Sequence, residues 1–117
     1  MERRSQTVKE IISSTDKYKH EPLYEVIVFA AKQNSIAGAT VLRGIMGFGS
    51  SSAVYSPTNW EITEKVPLVV EILDESEKIE KFIEIILPIF DNINKGCMIT
   101  VEKATIILHK KGTKKQQ

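Results

Sequence analysis

The segment Ala37-Gly-Ala-Thr-Val-Leu-Arg-Gly-Ile-Met-Gly-Phe-Gly49 lies between two halves of the chain that have similar patterns. Its small and β-branched residues predict a strand over 37–45. The segment ends in three glycines, Gly44, Gly47 and Gly49, which precede a run of serines. A strand that ends in glycines leaves backbone N–H groups uncovered, and a ligand can approach them closely. With Arg43 beside them, these glycines form a candidate site for an anionic small molecule.

The half before this segment predicts one strand and one helix. Residues 7–13 read as a strand, and the polar residues 14–21 read as a loop. Pro22 suits the first position of a helix. The apolar residues that follow are spaced as on one face of a helix, which Asn34 and Ser35 then end; they are Leu23, Val26, Ile27, Ala30 and Ala31.

The half after the segment predicts the same elements again. A long loop leads to a strand over 66–73, and Asp74-Glu75-Ser76 opens a second helix with acidic residues at its positive end. Apolar residues repeat at helical spacing from Ile79 to Ile93, and Pro88 within this pattern is predicted to kink or divide the helix. Residues 98–101 and 104–108 form either one bent strand or two short ones.

The order of elements is therefore β-α-β, a long loop and β-α-β. This order predicts an α+β fold, the ferredoxin-like βαββαβ plait, with a four-stranded antiparallel sheet and two helices on one face. Apolar residues occur on both faces of the predicted strands. We therefore expect another subunit to cover the open face of the sheet.

Composition limits the classes of function. The 117 residues predict a single domain, 1–117, with a core over about 6–109. The net charge of +1 argues against nucleic-acid binding. The lysine-rich tail 110–117 is expected to be disordered, or else to make a weak contact with an acidic partner or a membrane surface. The chain shows no apolar run of membrane-spanning length and one cysteine, so a cytoplasmic protein without membrane insertion is expected.

The chain contains no recognisable catalytic set. His20 and His109 are far apart and have no companions at the spacing of metal ligands, and Asp16 and Glu21 form no readable acid–base pair. We therefore predict that the protein is not an enzyme and binds no metal.

Three stretches carry a resemblance to a known family: residues 16–25, residues 37–49, and residues 68–74 together with Lys78-Ile79-Glu80. Over about 6–109 the chain resembles the domain-of-unknown-function-190 family of the PII-like (nitrogen regulatory protein PII) superfamily. The resemblance implies a homotrimer with inward-facing sheets, adenine nucleotides bound in clefts between subunits, and a mobile loop after the second strand. In that family the loop engages a regulated partner, often a transporter.

Carried onto this sequence, the resemblance implies two groups of residues. The ligand-binding group lies at the base of the loop and at the turn after the second helix; its members are Arg43, Gly44, Gly47, Phe48, Gly49, Lys95 and Gly96. The partner-contacting group lies in the loop itself and comprises Ser50, Tyr55 and Trp60. The neighbours of Tyr55 differ from the motif that is modified in PII proteins, and Ser50-Ser51-Ser52 replace basic residues.

The leading hypothesis is a trimeric PII-like regulatory protein. It would bind a small anionic effector, for which an adenine nucleotide is the candidate, and regulate a partner, for which a membrane transporter is the candidate. No other cofactor is assigned. The alternative is a scaffolding homotrimer that has neither a ligand nor catalytic activity. Tyr55 and Trp60 then pack against a neighbouring subunit instead of anchoring a partner.

Overall fold

An antiparallel four-stranded sheet with two helices forms the body of the protein. The computed structural model describes residues 3–48 and 65–113. The elements in chain order are β1 (Arg3–Ser13), β2 (Lys17–Tyr18), β3 (Glu21–Pro22), α1 (Leu23–Gln33), β4 (Gly38–Arg43), β5 (Pro67–Glu75), α2 (Ser76–Phe90) and β6 (Met98–Ile106). The main sheet has the order β4-β5-β1-β6. This confirms the predicted ferredoxin-like fold.

β1 and β5 are longer than their sequence patterns suggest, whereas β4 spans Gly38–Arg43 and is shorter than the predicted strand 37–45. β1 begins at Arg3 because its pairing with β6 continues to Arg3 opposite Ile106. That pairing runs without a break to Ile11 opposite Met98, so the last extended region is one strand. β5 likewise continues through Glu75. Asp74 and Glu75 therefore belong to the end of a strand, and α2 begins directly after them at Ser76, as predicted, with Glu75 at the N-cap position. The predicted loop 14–21 contains the small β2–β3 hairpin.

The two helices end for different reasons. α1 ends where Ser35 adopts a left-handed backbone with φ of 59°, and the Asn34 amide donates to the Ala30 carbonyl at 2.8 Å. α2 continues through Pro88 to Phe90, so of the two predicted effects of this proline, a kink or a division of the helix, the division does not occur. Pro88 removes the hydrogen bond to the carbonyl of Glu84, but Glu84 lies on the exposed side of the helix, where water can replace that bond.

The hydrophobic core lies between the helices and one face of the sheet. Alternate residues of the two central strands face it, among them Val8, Ile12, Val70 and Ile72. The helices cover these residues with their buried faces, which consist of Leu23, Ile27 and Ala31 on α1 and Ile79, Phe82, Ile86 and Phe90 on α2. The residues at every second position of the strands and the residues at helical spacing thus pack against each other in one core.

No element among the described residues covers the opposite face of the sheet. One row across its four strands is apolar, because the pairing aligns Leu42, Val69, Ile11 and Met98. The next row carries charge at its centre: Lys9 lies 2.8 Å from Glu102 and 3.9 Å from Glu71. Ile11, Leu42 and Met98 are 39%, 47% and 59% exposed, so this face leaves a continuous apolar row in contact with water.

Glu10 is an exception within the core. It follows Val8 on the helix-facing side of β1 and is fully buried between Val70 and Ile99 on the adjacent strands. Neither of its carboxylate oxygens has a hydrogen-bond partner among the described residues. Burial raises the pKa of Glu10 to about 8, since an apolar environment disfavours the charged form. At neutral pH this side chain is therefore held mostly as the neutral acid.

The substitution Glu10→Gln tests this burial through the pH dependence of stability. An unfolded glutamate titrates near about pH 4.3, so the folded protein binds the extra proton between that pH and about 8. Stability should therefore fall as pH rises through this window, by up to about 1.4 kcal/mol per pH unit. We expect Glu10→Gln to remove this fall and to be more stable than wild type at pH 8.

Urea unfolding at a series of pH values measures this effect at a fixed protein concentration. The matched control is Glu84→Gln, which removes a carboxylate from the exposed side of α2 and should keep the wild-type profile. A Glu10→Gln protein with the wild-type slope between pH 5 and 8 would contradict the assignment.

Gly44 allows the close approach of β4 to the start of β5. Its N–H donates to the Pro67 carbonyl at 2.7 Å, and a Cβ at this position would lie 2.7 Å from Pro67 Cγ. We expect Gly44→Ala to destabilise the fold by about 1–3 kcal/mol through overpacking. Gly38→Ala is the control, because a Cβ there meets nothing within 4 Å. Thermal unfolding compares the two variants, and equal melting temperatures would refute the steric role of Gly44.

Candidate functional site

The described part of the loop base continues directly from β4. Arg43 pairs with Leu68 at the last position of the strand and is exposed. Gly44 and Gly47 both face Pro67, since a Cβ built on Gly47 would lie 3.6 Å from Pro67 Cγ. Neither glycine has a positive φ. The close passage of the chain beside Pro67, rather than a left-handed turn, is therefore the structural reason for Gly44.

Large apolar side chains surround these glycines and are exposed. Ile45 is 80% exposed, Met46 57% and Phe48 76%. A single exposed apolar residue is ordinary on a protein surface, but three within four positions form an apolar patch next to the cationic Arg43. The loop base therefore combines one guanidinium with apolar surface suited to a flat ring or a second protein chain.

Lys95 and Gly96 lie in the connection between α2 and β6 and are both exposed. Since Met98 begins β6 in the same row as Leu42 of β4, this connection is at the same end of the sheet as Arg43. The two strands are the opposite edges of the sheet, and three strand spacings separate them by about 14 Å. The fold thus brings the two parts of the predicted ligand-binding group, the loop base and the 95–96 turn, to one end of the sheet but not side by side within one protomer.

Asp16 organises the same end of the sheet, a role that its sequence position did not reveal. Its Oδ2 accepts the Ser13 N–H at 2.9 Å, and its carbonyl accepts the Leu23 N–H at 2.8 Å. It is 3% exposed, and its Oδ1 has no partner within the described ranges. The residue type could have indicated this role, because a short polar side chain such as that of aspartate often closes a turn by accepting hydrogen bonds from nearby backbone N–H groups. Asp16 thereby fixes where β1 ends and α1 begins.

A second contact fixes the point where the chain returns from the loop. Ser14 N–H donates to the Val66 carbonyl at 2.9 Å, and Val66 N–H donates to Ser14 Oγ at 3.0 Å. Directly before β6, Cys97 is exposed, and desolvation together with the nearby Asp16 charge raises the pKa of its thiol. Backbone hydrogen bonds therefore hold the chain at both ends of the loop, at Gly44 through the Pro67 carbonyl and at Val66 through Ser14.

The remaining predicted residues cannot be placed. Gly49, Ser50, Tyr55 and Trp60 belong to residues 49–64 and lie outside the described residues. Within 3–48 and 65–113 no group of three or more His, Cys, Asp or Glu side chains could hold a metal ion. In the same ranges no helix has both the length and the apolar character needed to cross a membrane.

Solved structures share this fold. A nitrogen regulatory PII-like protein from Thiomonas intermedia K12, CPII, bound to ADP, AMP and bicarbonate, superposes with a TM-score of 0.66 at 13% identity, over 91% of each chain. A putative PII-like signaling protein from Thermus thermophilus superposes with a TM-score of 0.62 at 15% identity, over 91% of this chain and 92% of the other. At these identities the likeness shows the fold.

Sequence comparison shows the family. A UPF0166 protein from Aquifex aeolicus is 35% identical over 72 residues, which cover 62% of this chain and 69% of the relative. A further match to a UPF0166 protein of that organism is 29% identical over 99 residues, or 85% of this chain and 98% of the relative. The DUF190 family model, described as Uncharacterized ACR, matches residues 6–106. The chain therefore belongs to the DUF190 family, and its fold is that of the PII-like proteins.

Proposed function

We propose that this protein is a PII-like signalling protein that binds an adenine nucleotide in clefts between the subunits of a homotrimer. The observation that carries the proposal is the position of the loop base and the 95–96 turn. They lie at one end of the sheet but on its opposite edges. A cyclic assembly that places the β4 edge of one protomer beside the β6 edge of the next would unite them in a single cleft.

The side chains at the β4 and β6 edges of the sheet support a nucleotide as the ligand. Arg43 offers a guanidinium that can hold phosphate oxygens in a bidentate manner, and Lys95 offers a second cation. Phe48 and Ile45 offer exposed apolar surface for a base. CPII, which shares the fold, has been solved bound to ADP and AMP. The proposed ligand group is Arg43, Gly44, Gly47, Phe48, Gly49, Lys95 and Gly96.

The open sheet face supports the assembly. The apolar row of Leu42, Val69, Ile11 and Met98 is exposed in a single chain, and burying it against equivalent rows of other copies removes it from water. In the neighbouring row Lys9 lies 2.8 Å from Glu102 and 3.9 Å from Glu71, so ion pairing within one protomer offsets part of the cost of burying these charges.

Signalling in this proposal is a shift in the conformational population of the loop. Nucleotide contacts at the loop base favour one arrangement of residues 49–64, which a partner protein binds. Ser50, Tyr55 and Trp60 are the proposed partner contacts, and a membrane transporter is the proposed partner class. The protein itself carries out no catalysis in this proposal and acts in the cytoplasm.

Arg43→Ala tests the nucleotide site. We expect wild-type protein to bind ADP in titration calorimetry and Arg43→Ala to bind it about tenfold more weakly, the effect of one charge-assisted contact. Arg4→Ala is the matched control, because it removes an exposed arginine from the opposite end of the sheet. If neither ADP nor AMP binds the wild-type protein at millimolar concentration, the scaffolding alternative replaces this proposal.

Ile11→Asp tests the assembly. Light scattering coupled to gel filtration should give the wild-type protein a mass near three times that of the 13.2 kDa chain. We expect Ile11→Asp to run as a monomer, because it places a charge in the centre of the buried row. Phe29→Asp is the control, since Phe29 is 60% exposed on α1, away from this face. A monomeric wild-type protein would reject the trimer.

A further inference from the structure

The end of the sheet that carries the loop base also collects exposed cationic side chains. The strand register brings them together, since β1 ends at Ser13 and β5 begins opposite to it near Pro67. The β2–β3 hairpin follows β1 at this end, β4 ends here, and the connections that lead into β5 and β6 reach the same end. The exposed basic residues of this surface, which we call the loop-base face, are Lys17, Lys19, His20, Arg43, Lys65 and Lys95.

The charges of the loop-base face are poorly compensated. Lys17, Lys65 and Lys95 make no hydrogen bond or ion pair within residues 3–48 and 65–113. The Lys19 ammonium lies 5.3 Å from the centre of the Tyr18 ring, a contact that leaves its charge in place. Among the described residues, the acidic side chains of this end that reach water are fewer; they are Glu21, Glu25 and Asp91. The face therefore presents a net positive charge.

The β2–β3 hairpin holds its part of this charge in a fixed position. Tyr18 pairs with Glu21, so Lys19 and His20 alone make the turn. Both have a left-handed backbone, with φ of 49° and 71°. Two-residue hairpins require this conformation, and Asn-Gly adopts it with less strain than Lys-His. The turn itself therefore does not explain the two basic side chains at its tip, whereas contact with an anionic surface does.

Apolar side chains project from the same face. Ile45, Met46 and Phe48 follow β4 directly, and more than half of each side chain is in contact with water. Met46 has no role in the nucleotide site proposed above, and its flexible apolar side chain adapts to an irregular apolar environment. A lipid surface accepts both kinds of group, because anionic headgroups attract lysine and arginine and the acyl boundary takes up apolar side chains.

We propose that the loop-base face docks onto an anionic membrane surface. Its cations extend from the hairpin to both edges of the sheet, which are about 14 Å apart, and such a broad surface matches a bilayer better than a single acidic peptide. The lysines bind the headgroups, and Met46 enters the boundary between headgroups and acyl chains. Stable attachment needs both signals, since either alone gives weak and reversible binding. This docking does not depend on nucleotide binding.

Co-sedimentation of the full chain with vesicles tests the proposal. We expect binding to vesicles of phosphatidylcholine with about 30% phosphatidylglycerol and not to phosphatidylcholine alone. Lys17→Gln/Lys19→Gln should weaken binding about thirtyfold, since each lysine near the surface contributes about fivefold, and Met46→Gln should weaken it about fivefold. The matched control, Arg4→Gln/Lys103→Gln, removes two positive charges from the opposite half of the sheet and should bind as wild type does.

The same variants separate this proposal from the nucleotide site. None of Lys17, Lys19 and Met46 belongs to the proposed ligand group, so all of these variants should bind ADP as wild type does in titration calorimetry. Loss of vesicle binding with unchanged ADP affinity therefore supports a separate membrane contact.

Broadening of backbone amide NMR signals by a lipid with a nitroxide headgroup, in bilayer discs of the same composition, locates the bound surface. Broadening centred on Lys19, His20 and Met46 supports the proposal. Broadening centred on residues 110–113 places the contact in the basic tail and overturns it, as does equal weakening of vesicle binding by the control variant. Equal binding to both kinds of vesicle also overturns it. The absence of binding below about 1 mM lipid assigns the cations to an acidic protein partner instead and rejects the membrane surface.

Discussion

The antiparallel pairing of β1 with β5 is the constraint on which the rest of the structure depends. It joins nine residue pairs from Ser5 opposite Glu75 to Ser13 opposite Pro67. Because side chains alternate along both strands, this register sends Val8 and Ile72 to the helices and Ile11 and Val69 to the open face. A slip by one residue would exchange the two faces and remove the core.

The same register gives the two ends of the sheet different chemistry. At one end, Asp16 fixes the end of β1, Ser14 holds Val66 where the chain returns from the loop, and Arg43 and Lys95 lie on opposite edges. At the other end, Asp74 joins β4 to β5, and cationic side chains from separate segments converge. Each end thus has a buried aspartate that accepts backbone N–H groups, together with exposed cationic side chains.

Sequence reasoning recovered the elements whose signal is periodic. α1 and the apolar face of α2 follow from residues such as Leu23, Ile27, Phe82 and Ile86, which recur at helical spacing and are buried. The sequence patterns were insufficient where a residue distant along the chain determines the local structure. Asp74 lies just before the helix start, as predicted, but its sequence position did not show that β5 continues through it, because β1 pairs with β5 that far, or that Ala37 donates to its carboxylate.

Glu10 and Pro88 are two further residues whose structural settings the local sequence did not predict. Glu10 lies among apolar residues at strand spacing, and nothing local predicts that both of its oxygens are buried without a partner among the described residues. Pro88 carries a strong local signal for a break, but the packed residues Ile86 and Phe90 keep the last turn of α2 helical. Tertiary packing outweighs a local preference when the lost hydrogen bond can be replaced by water.

The sequence alone determined the order of the elements, the fold class, the family and the glycine-bearing strand that leads to Arg43, because these depend on spacing and residue type along the chain. Only the tertiary structure decided that Arg43 and Lys95 lie on opposite edges of one sheet end and that Lys32, Lys78 and Lys111 surround one cleft. These residues are far apart in sequence, and the strand register and helix packing that bring them together carry no local signal.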